Sequence, residues 1–456
     1  MGFRFSAASS TGTVETSGPP GRFHRGAHDF CHYPEPVADI AIPAREYMLV
    51  FATAGLITFL ATGGVRLIAR KIGAFTPIRD RDVHQSPTPR MGGLAVYLGF
   101  ATAILMARKI PTLARAFDSS STIQGVLVAG AVIVLVGVLD DRFDLDAVTK
   151  LFGQILAAGV LVLYGVTWLV VWLPSSSGGS SVSLDQTQGA LITVLITVVL
   201  ANAMNFIDGL DGLLAGVATI SAIAVFIFSV HQFMLTGDDS VSSQPPLIAA
   251  ALVGACVGFL PHNFYPARIF MGDSGSMFIG LATAASIITA NGQVPSDAVN
   301  FGPRSTVALL APLIVVLAVV FIPVLDFLLA VIRRTKEGRH PFSADKRHLH
   351  HRMLGIGHTH RQAVLIFYLW AFVLSAGSVS LVFLRWQAVV APIVLALMVA
   401  LVLTLWPWVR ARRLGRRRRA DAAMRDRPPP AGTAVPAAGA DPATGPHPLG
   451  GGESAA

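Results

Sequence analysis

The sequence predicts an all-α polytopic membrane protein of about eleven transmembrane helices, with its N-terminus outside and its C-terminus in the cytoplasm. Three observations predict it. The 456 residues are 53% hydrophobic and only 13% charged, and a mean hydropathy of +0.61 is that of a membrane protein, not of a soluble domain. The apolar residues gather in runs of about 20, the length a helix needs to cross the hydrocarbon core, where each backbone N–H and C=O must be satisfied within the segment. Lysine and arginine are crowded into alternate loops.

Eleven segments reach the required length, some with their flanks: 47–69, 92–108, 122–139, 147–173, 188–204, 210–235, 246–262, 274–291, 305–332, 363–384 and 388–409. One set of loops between them carries 17 Lys and Arg, the other five. Cationic residues are retained on the cytoplasmic side, which orients the chain. Trp172 and Trp386 near outer ends, and Trp406 and Trp408 near an inner end, suit interfacial belts. Residues 1–45 are rich in Ser, Gly, Pro and His and lack the pattern of a cleavable signal, so they read as a disordered extension. Residues 46–410 form the transmembrane domain. Residues 411–456 read as a basic, then Pro/Ala/Gly-rich, disordered cytoplasmic tail. Its arginines suit anionic lipid headgroups and not nucleic acid. Two cysteines, Cys31 and Cys256, make no disulfide framework.

The acids sort to one side. Asp140, Asp141, Asp144 and Asp146 follow the third span, Asp208 and Asp211 join the fifth to the sixth in "ANAMNFIDGLDGLLAG", Asp273 opens the eighth, and Asp326 lies in the ninth. By the charge count all face the cytoplasmic half. Asp208 and Asp211, three apart, share a face of any helical turn. Five of these carboxylates, Asp140, Asp141, Asp208, Asp211 and Asp273, gathered at a membrane surface would repel unless neutralised, and hard oxygen donors with little His or Cys beside them favour Mg²⁺, with Mn²⁺ the alternative. In "IFMGDSGSMF", Asp273 or Ser274 can cap the eighth span, whose N-terminus, between Gly272 and Gly275, can present N–H groups to an anion. Arg79, Arg81, His84 and Arg90 in one loop, and Lys346, Arg347, His348, His350, His351 and Arg352 in another, supply bases for phosphates. Acids for a metal and bases for phosphates beside lipid point to phosphoryl transfer to or from a lipid. Against this, Asp pairs cap helices and Asp-Gly steps make turns in many proteins, while His348 and His351 lack a third ligand for zinc.

Six ordered motifs carry a resemblance over residues 47–410: "PTPRMGG" (87–93), "GVLDDRFDLDAVTKLFGQ" (137–154), "NAMNFIDGLDGL" (202–213), "NFYPARIFMGDSGSMFIG" (263–280), "PVLD" (323–326) and "HPFSADKRHLHHRML" (340–354). The chain resembles the polyprenyl-phosphate N-acetylhexosamine-1-phosphate transferases, the superfamily of WecA, TagO and MraY. The resemblance implies a Mg²⁺-dependent enzyme of the bacterial plasma membrane whose active site opens to the cytoplasm. Its substrates would be a UDP-N-acetylhexosamine and a polyprenyl phosphate, its products a lipid diphosphate-sugar and UMP.

By the resemblance, Asp273 would hold the metal together with Asp140 and Asp141, which also handle the lipid phosphate, Asp140 as base or orienting group. Asp208 and Asp211 would shape the metal and nucleotide site, and Asn263 and Phe270 would recognise uracil. His348, His350 and His351 would hold the diphosphate or sugar. Asn205, Gly209, Leu210, Lys150, Arg81, His84 and Arg90 are assigned to substrate binding. The first loop lacks the lysine common in the family before its Pro-Gly-Gly motif and offers Arg81, His84 and Arg90 instead. The His-x-His-His pattern favours UDP-N-acetylglucosamine over the muramoyl-pentapeptide nucleotide, which is the alternative donor. A cation-coupled transporter, the alternative of another class, would place its acids at mid-membrane and show internal repeats. The partners expected are the two substrates, the membrane and a second copy of the chain in a homodimer; nucleic acid is not expected.

Overall fold

The computed structural model describes residues 42–75, 87–118, 120–175, 178–236, 243–291, 321–322, 324–326, 328–329, 331–338 and 349–425. Its elements are α1 (Ala44–Ile72), α2 (Gly92–Ala107), α3 (Pro111–Ala114) running into a 3-10 turn (Arg115–Phe117), α4 (Thr122–Phe143), α5 (Ala147–Leu163), a hairpin of β1 (Val170–Ser175) and β2 (Gly178–Ser183), α6 (Gln186–Ile207), α7 (Leu213–Thr236), α8 (Gln244–Asn263), α9 (Gly272–Asn291), α10 (Leu349–Ile356), α11 (His360–Phe383) and α12 (Trp386–Arg425). Helices occupy ten of the eleven predicted segments. The other, 305–332, lies mostly outside the described residues, as does most of the 1–45 extension.

Among the described residues seven helices are long and apolar enough to cross a membrane: α1, α4, α6, α7, α8, α11 and the Trp386–Pro407 part of α12. The pair of α2 and the segment Pro111–Phe117, bent by 101°, makes an eighth if it counts as one span. Helix α9 has the length but not the greasiness, and its position explains why. It is buried along almost its whole length and touches α2, α4, α5, α6, α7 and α8, so it meets protein where a peripheral helix meets lipid.

Small residues bring its neighbours close, as in membrane bundles generally. A Cβ on Gly93 of α2 would meet the Gly275 backbone nitrogen at 1.9 Å, and one on Gly137 of α4 would meet Ser274 Cα at 2.3 Å. The same device joins α1 to α8, where a Cβ on Gly254 would lie 2.2 Å from the Phe51 carbonyl oxygen and one on Gly258 2.1 Å from that of Gly55.

The span predicted over 147–173 stops early. Helix α5 ends at Leu163, Gly165 turns the chain at φ 88°, and the apolar run continues as β1, paired antiparallel with the Ser-rich β2 from Val170–Ser183 to Ser175–Gly178. Two β-branched valines beside Trp172 and Pro174, with a Gly-Gly-Ser-Ser stretch to pair with, suit strands better than a last helical turn. Helix α12, by contrast, overruns. Its helical backbone continues past 410 to Arg425, so the arginine run expected to open the disordered tail extends the last helix.

Candidate active site

The site lies where the C-terminal end of α4 meets the N-terminal end of α9. The last turn of α4 carries Asp140 and Asp141, both buried. Asp144, at φ 54°, closes that helix, and Asp146 opens the next by accepting from Val148 N–H at 3.0 Å and Thr149 N–H at 3.1 Å. The Thr149 hydroxyl and amide hold the Asp146 carboxyl below its usual range. This tight α4–α5 corner places Lys150 one turn into α5, beside the two buried acids.

Lys150 Nζ lies 2.7 Å from Asp140 Oδ2 and 3.0 Å from Asp273 Oδ2, so one ammonium bridges carboxylates on two helices. Asp140 Oδ1 accepts from Leu145 N–H at 2.9 Å. Asp273 also meets the side chains of Asp140 and Asn205, and Asn205 Nδ2 donates to Ser276 Oγ at 2.9 Å. One turn deeper, Asn202 Nδ2 donates to Gln154 Oε1 at 2.6 Å, joining α6 to α5.

The capping of α9 corrects the sequence reading. Neither Asp273 nor Ser274 caps it; Asp141, 132 residues earlier, does. Its Oδ1 accepts from Asp273 N–H at 2.9 Å, and its Oδ2 accepts from Ser274 N–H at 3.3 Å and Ser274 Oγ at 2.8 Å. The anion at this positive helix end is therefore a side chain of the protein itself. Gly272, at φ 72°, is required here, because a Cβ would meet Asp141 Oδ2 at 2.4 Å.

Asp208 and Asp211 share no helical face. Asp208 caps the C-terminal end of α6, and Asp211 lies in the turn before Gly212, whose φ is 77°. Burial first, then the nearby Asp273 and Asp141, pushes the Asp208 carboxyl up to about 8, against the opposing pull of Arg90. Asp211 is turned to bracing: its Oδ2 accepts from Ala267 N–H at 2.9 Å, and its N–H donates to His360 Nε2 at 3.0 Å. Beside it, Asn263 Oδ1 accepts from Gly212 N–H at 3.0 Å while Nδ2 donates to the Ile269 carbonyl at 3.1 Å. Tyr368 OH donates to the Gly212 carbonyl. The two motif loops 87–93 and 263–280 are laced together, with Phe270 N–H donating to the Pro89 carbonyl at 2.8 Å and Gly92 N–H to that of Phe270 at 3.0 Å.

The structure thus gathers Asp140, Asp141, Lys150, Asn205, Asp208, Asp273 and Arg90 around one helix end, with Asp211, Asn263 and Phe270 in the bracing loops. Gly209 is exposed in the turn, whereas the Leu210 side chain is packed into the core. Arg81, His84 and His348 lie outside the described residues, as do the side chains of His350 and His351. Sequence reasoning missed His360, which holds Asp211, stacks on Tyr265 with ring centres 4.7 Å apart, and precedes Arg361, whose guanidinium lies 5.7 Å from the Tyr265 ring. Its signal was the capping box at Thr359 and Gln362, which fixes where α11 begins. Among the described residues no three His, Cys, Asp or Glu side chains form a metal cage.

The profile described as Glycosyl transferase family 4 matches residues 123–291, which include every acid of this cluster. The chain is 50% identical over 369 residues to the decaprenyl-phosphate N-acetylglucosaminephosphotransferase of Mycobacterium tuberculosis (strain ATCC 25618 / H37Rv), covering 81% of this chain and 91% of that protein. The chain belongs to the polyprenyl-phosphate N-acetylhexosamine-1-phosphate transferases. This transferase is also 31% identical to the probable undecaprenyl-phosphate N-acetylglucosaminyl 1-phosphate transferase of Bacillus subtilis (strain 168), over 73% of its own length and 84% of the relative's. To the phospho-N-acetylmuramoyl-pentapeptide-transferase of Desulforudis audaxviator (strain MP104C) it is 32% identical, over 65% and 84%.

Proposed function

We propose that this transferase moves N-acetylglucosamine-1-phosphate from UDP-N-acetylglucosamine to a polyprenyl phosphate at the cytoplasmic face of a bacterial plasma membrane. The carrying observation is the meeting of the buried Asp140 and Asp141 with the half-buried Asp273 on one helix end, with Lys150 between two of them. The relatives with 50% and 31% identity act, by their names, on N-acetylglucosamine and a polyprenyl phosphate, which favours that donor over the muramoyl-pentapeptide nucleotide.

A phosphate oxygen of the lipid attacks the β-phosphorus of the nucleotide sugar. The bond from that phosphorus to the bridging oxygen breaks, and UMP leaves with the electron pair. One phosphoanhydride is exchanged for another, so positioning and charge neutralisation carry the reaction. Mg²⁺, or Mn²⁺ in its place, would supply that neutralisation when bound. Mg²⁺ takes one or two carboxylates and leaves the rest of its shell to water and phosphate. Two carboxylate oxygens from α4 and α9 converging on one positive group fit that donor set without a closed cage, with Asp273 and Asp140 as the holders and Asp208 beside them.

The lipid phosphate is mostly ionised near neutral pH, its second pKa being about 6, so little proton transfer is left for Asp140, whose Oδ2 holds Lys150. Asp140 therefore orients Lys150 and the acceptor and does not act as a base. Asp140→Asn should stay slow across the alkaline range; full recovery of its rate at high pH would show that deprotonation was its task.

The membrane reading completes the proposal: eleven spans, the N-terminus outside, and the aspartates at the cytoplasmic end, supported by the 17-to-five partition of Lys and Arg. The test is purified protein in detergent with polyprenyl phosphate, Mg²⁺ and either nucleotide, measuring UMP. Release from UDP-N-acetylglucosamine alone is expected. Release only from the muramoyl-pentapeptide nucleotide would move the chain to the other branch, and none from a folded protein would defeat both readings.

A further inference from the structure

At the same end of the bundle, on the outer side of α1, lies a cationic group with no assigned role. Arg66 and Arg70 are four residues apart and so share one face of α1. The Arg66 guanidinium is within electrostatic reach of Arg70 and of Arg268 in the α8–α9 loop. Among the described residues no carboxylate pairs with any of the three. Arg66 is half-buried, and its Nε is shut away from solvent without a hydrogen-bond partner. Arg70 and Arg268 are exposed. Beneath them, His262 Nε2–H donates to the Phe59 carbonyl at 3.1 Å, and the His262 and Phe59 rings lie 4.7 Å apart. This contact fixes α8, and through it the loop bearing Arg268, against α1.

A guanidinium repelled by two others, partly desolvated and with an unmet donor, makes a site of unbalanced charge. An anion among them would relieve both costs, and the fork of a guanidinium suits phosphate oxygens. The surroundings say which anion can arrive. Phe59, Leu60, Leu67 and Ile68 of α1 are all exposed large apolar side chains, the surface that a membrane covers. Arg66 lies about 9 Å inside the C-terminal end of α1 at 1.5 Å per residue, a depth suited to a headgroup and awkward for a free ion.

We propose that Arg66, Arg70 and Arg268 bind the phosphate of an anionic phospholipid headgroup. The site is separate from the aspartate cluster and joined to it by chain: Arg70 lies four residues before Ala74, whose carbonyl accepts from Arg90 N–H at 3.0 Å, and Arg268 follows Ala267, which Asp211 holds. A bound headgroup would therefore pin both loops that frame the catalytic helix end.

The test needs no substrate, so it stands or falls apart from the catalytic reading. Full-length protein is reconstituted in nanodiscs of phosphatidylglycerol and phosphatidylcholine, re-extracted, and its retained lipid counted by native mass spectrometry. One phosphatidylglycerol is expected on the wild type, with at least a tenfold lower retained fraction in Arg66→Gln/Arg70→Gln/Arg268→Gln and a partial loss in Arg268→Gln, an exposed loop position unable to disturb the fold. Arg410→Gln/Arg412→Gln should retain it. Equal retention by wild type and triple variant would overturn the proposal. So would displacement of the lipid by millimolar inorganic phosphate, which would make the site one for the free ion.

Discussion

Replacing Gly93 by Ala tests whether the site depends on the closeness of α2 and α9. The added methyl would sit 1.9 Å from Gly275 N and 2.1 Å from Gly275 Cα, where ordinary contact begins near 3.4 Å. The helices would have to part by roughly 1.5 Å, and packed cores resist such overfilling at about 1–3 kcal/mol. That shift acts on the first turn of α9, two residues from Asp273, and so on its 3.0 Å contact with Lys150. Misplacing reacting groups by about 1 Å costs on the order of 10²-fold in rate, so kcat for UMP release should fall about a hundredfold or more. Gly159→Ala, where nothing lies within 4 Å, is the control and should leave the rate unchanged. A Gly93→Ala enzyme with the wild-type kcat and melting temperature would refute the reasoning.

Two further outcomes follow from the turn at 208–212. The Asp208 carboxyl is pushed up to about 8 by burial and by Asp273 and Asp141, against about 3.9 unfolded. The folded state therefore holds a proton that the unfolded state releases, and this stabilisation is complete below about pH 4 and is lost as pH rises to about 8. In EDTA the wild-type melting temperature should fall across that window more steeply than that of Asp208→Asn. His360→Leu leaves the Asp211 N–H without its acceptor, a loss of about 1–3 kcal/mol spent on the brace of the 263–271 loop. It should raise KM for UDP-N-acetylglucosamine about tenfold, while His360→Gln, which restores an acceptor at similar reach, should stay within about threefold of wild type.

Hydropathy located ten helices because helices that face lipid or a membrane protein's interior are apolar, and among the described residues seven of them, or eight with the bent pair, are long and apolar enough to cross. It misjudged 147–173, since Val-Val-Trp-Leu continues an apolar run equally as helix or strand, and only Gly165 and the Ser-rich partner decide. The acids were legible as a group because they collect at one end of successive spans. Their division of labour was not: Asp141 caps a helix 132 residues away, and Asp211 and Asn263 spend their hydrogen bonds on bracing. Such roles depend on tertiary pairing, which spacing along the chain cannot carry. Lys150 was assigned to substrate binding by the resemblance, but its seat between Asp140 and Asp273 follows from the α4–α5 corner. His360 fell in the loop before the span predicted at 363–384, and nothing near it in sequence names its partner, which lies 149 residues away.

The account rests on the carboxylates of α4 and α9 sharing one divalent cation. Electron paramagnetic resonance of Mn²⁺ titrated into the purified protein measures this directly. One tightly bound Mn²⁺ per chain is predicted for the wild type, displaced by Mg²⁺ and weakened at least tenfold in Asp273→Asn. Unchanged Mn²⁺ binding in Asp273→Asn and Asp140→Asn alike would contradict it.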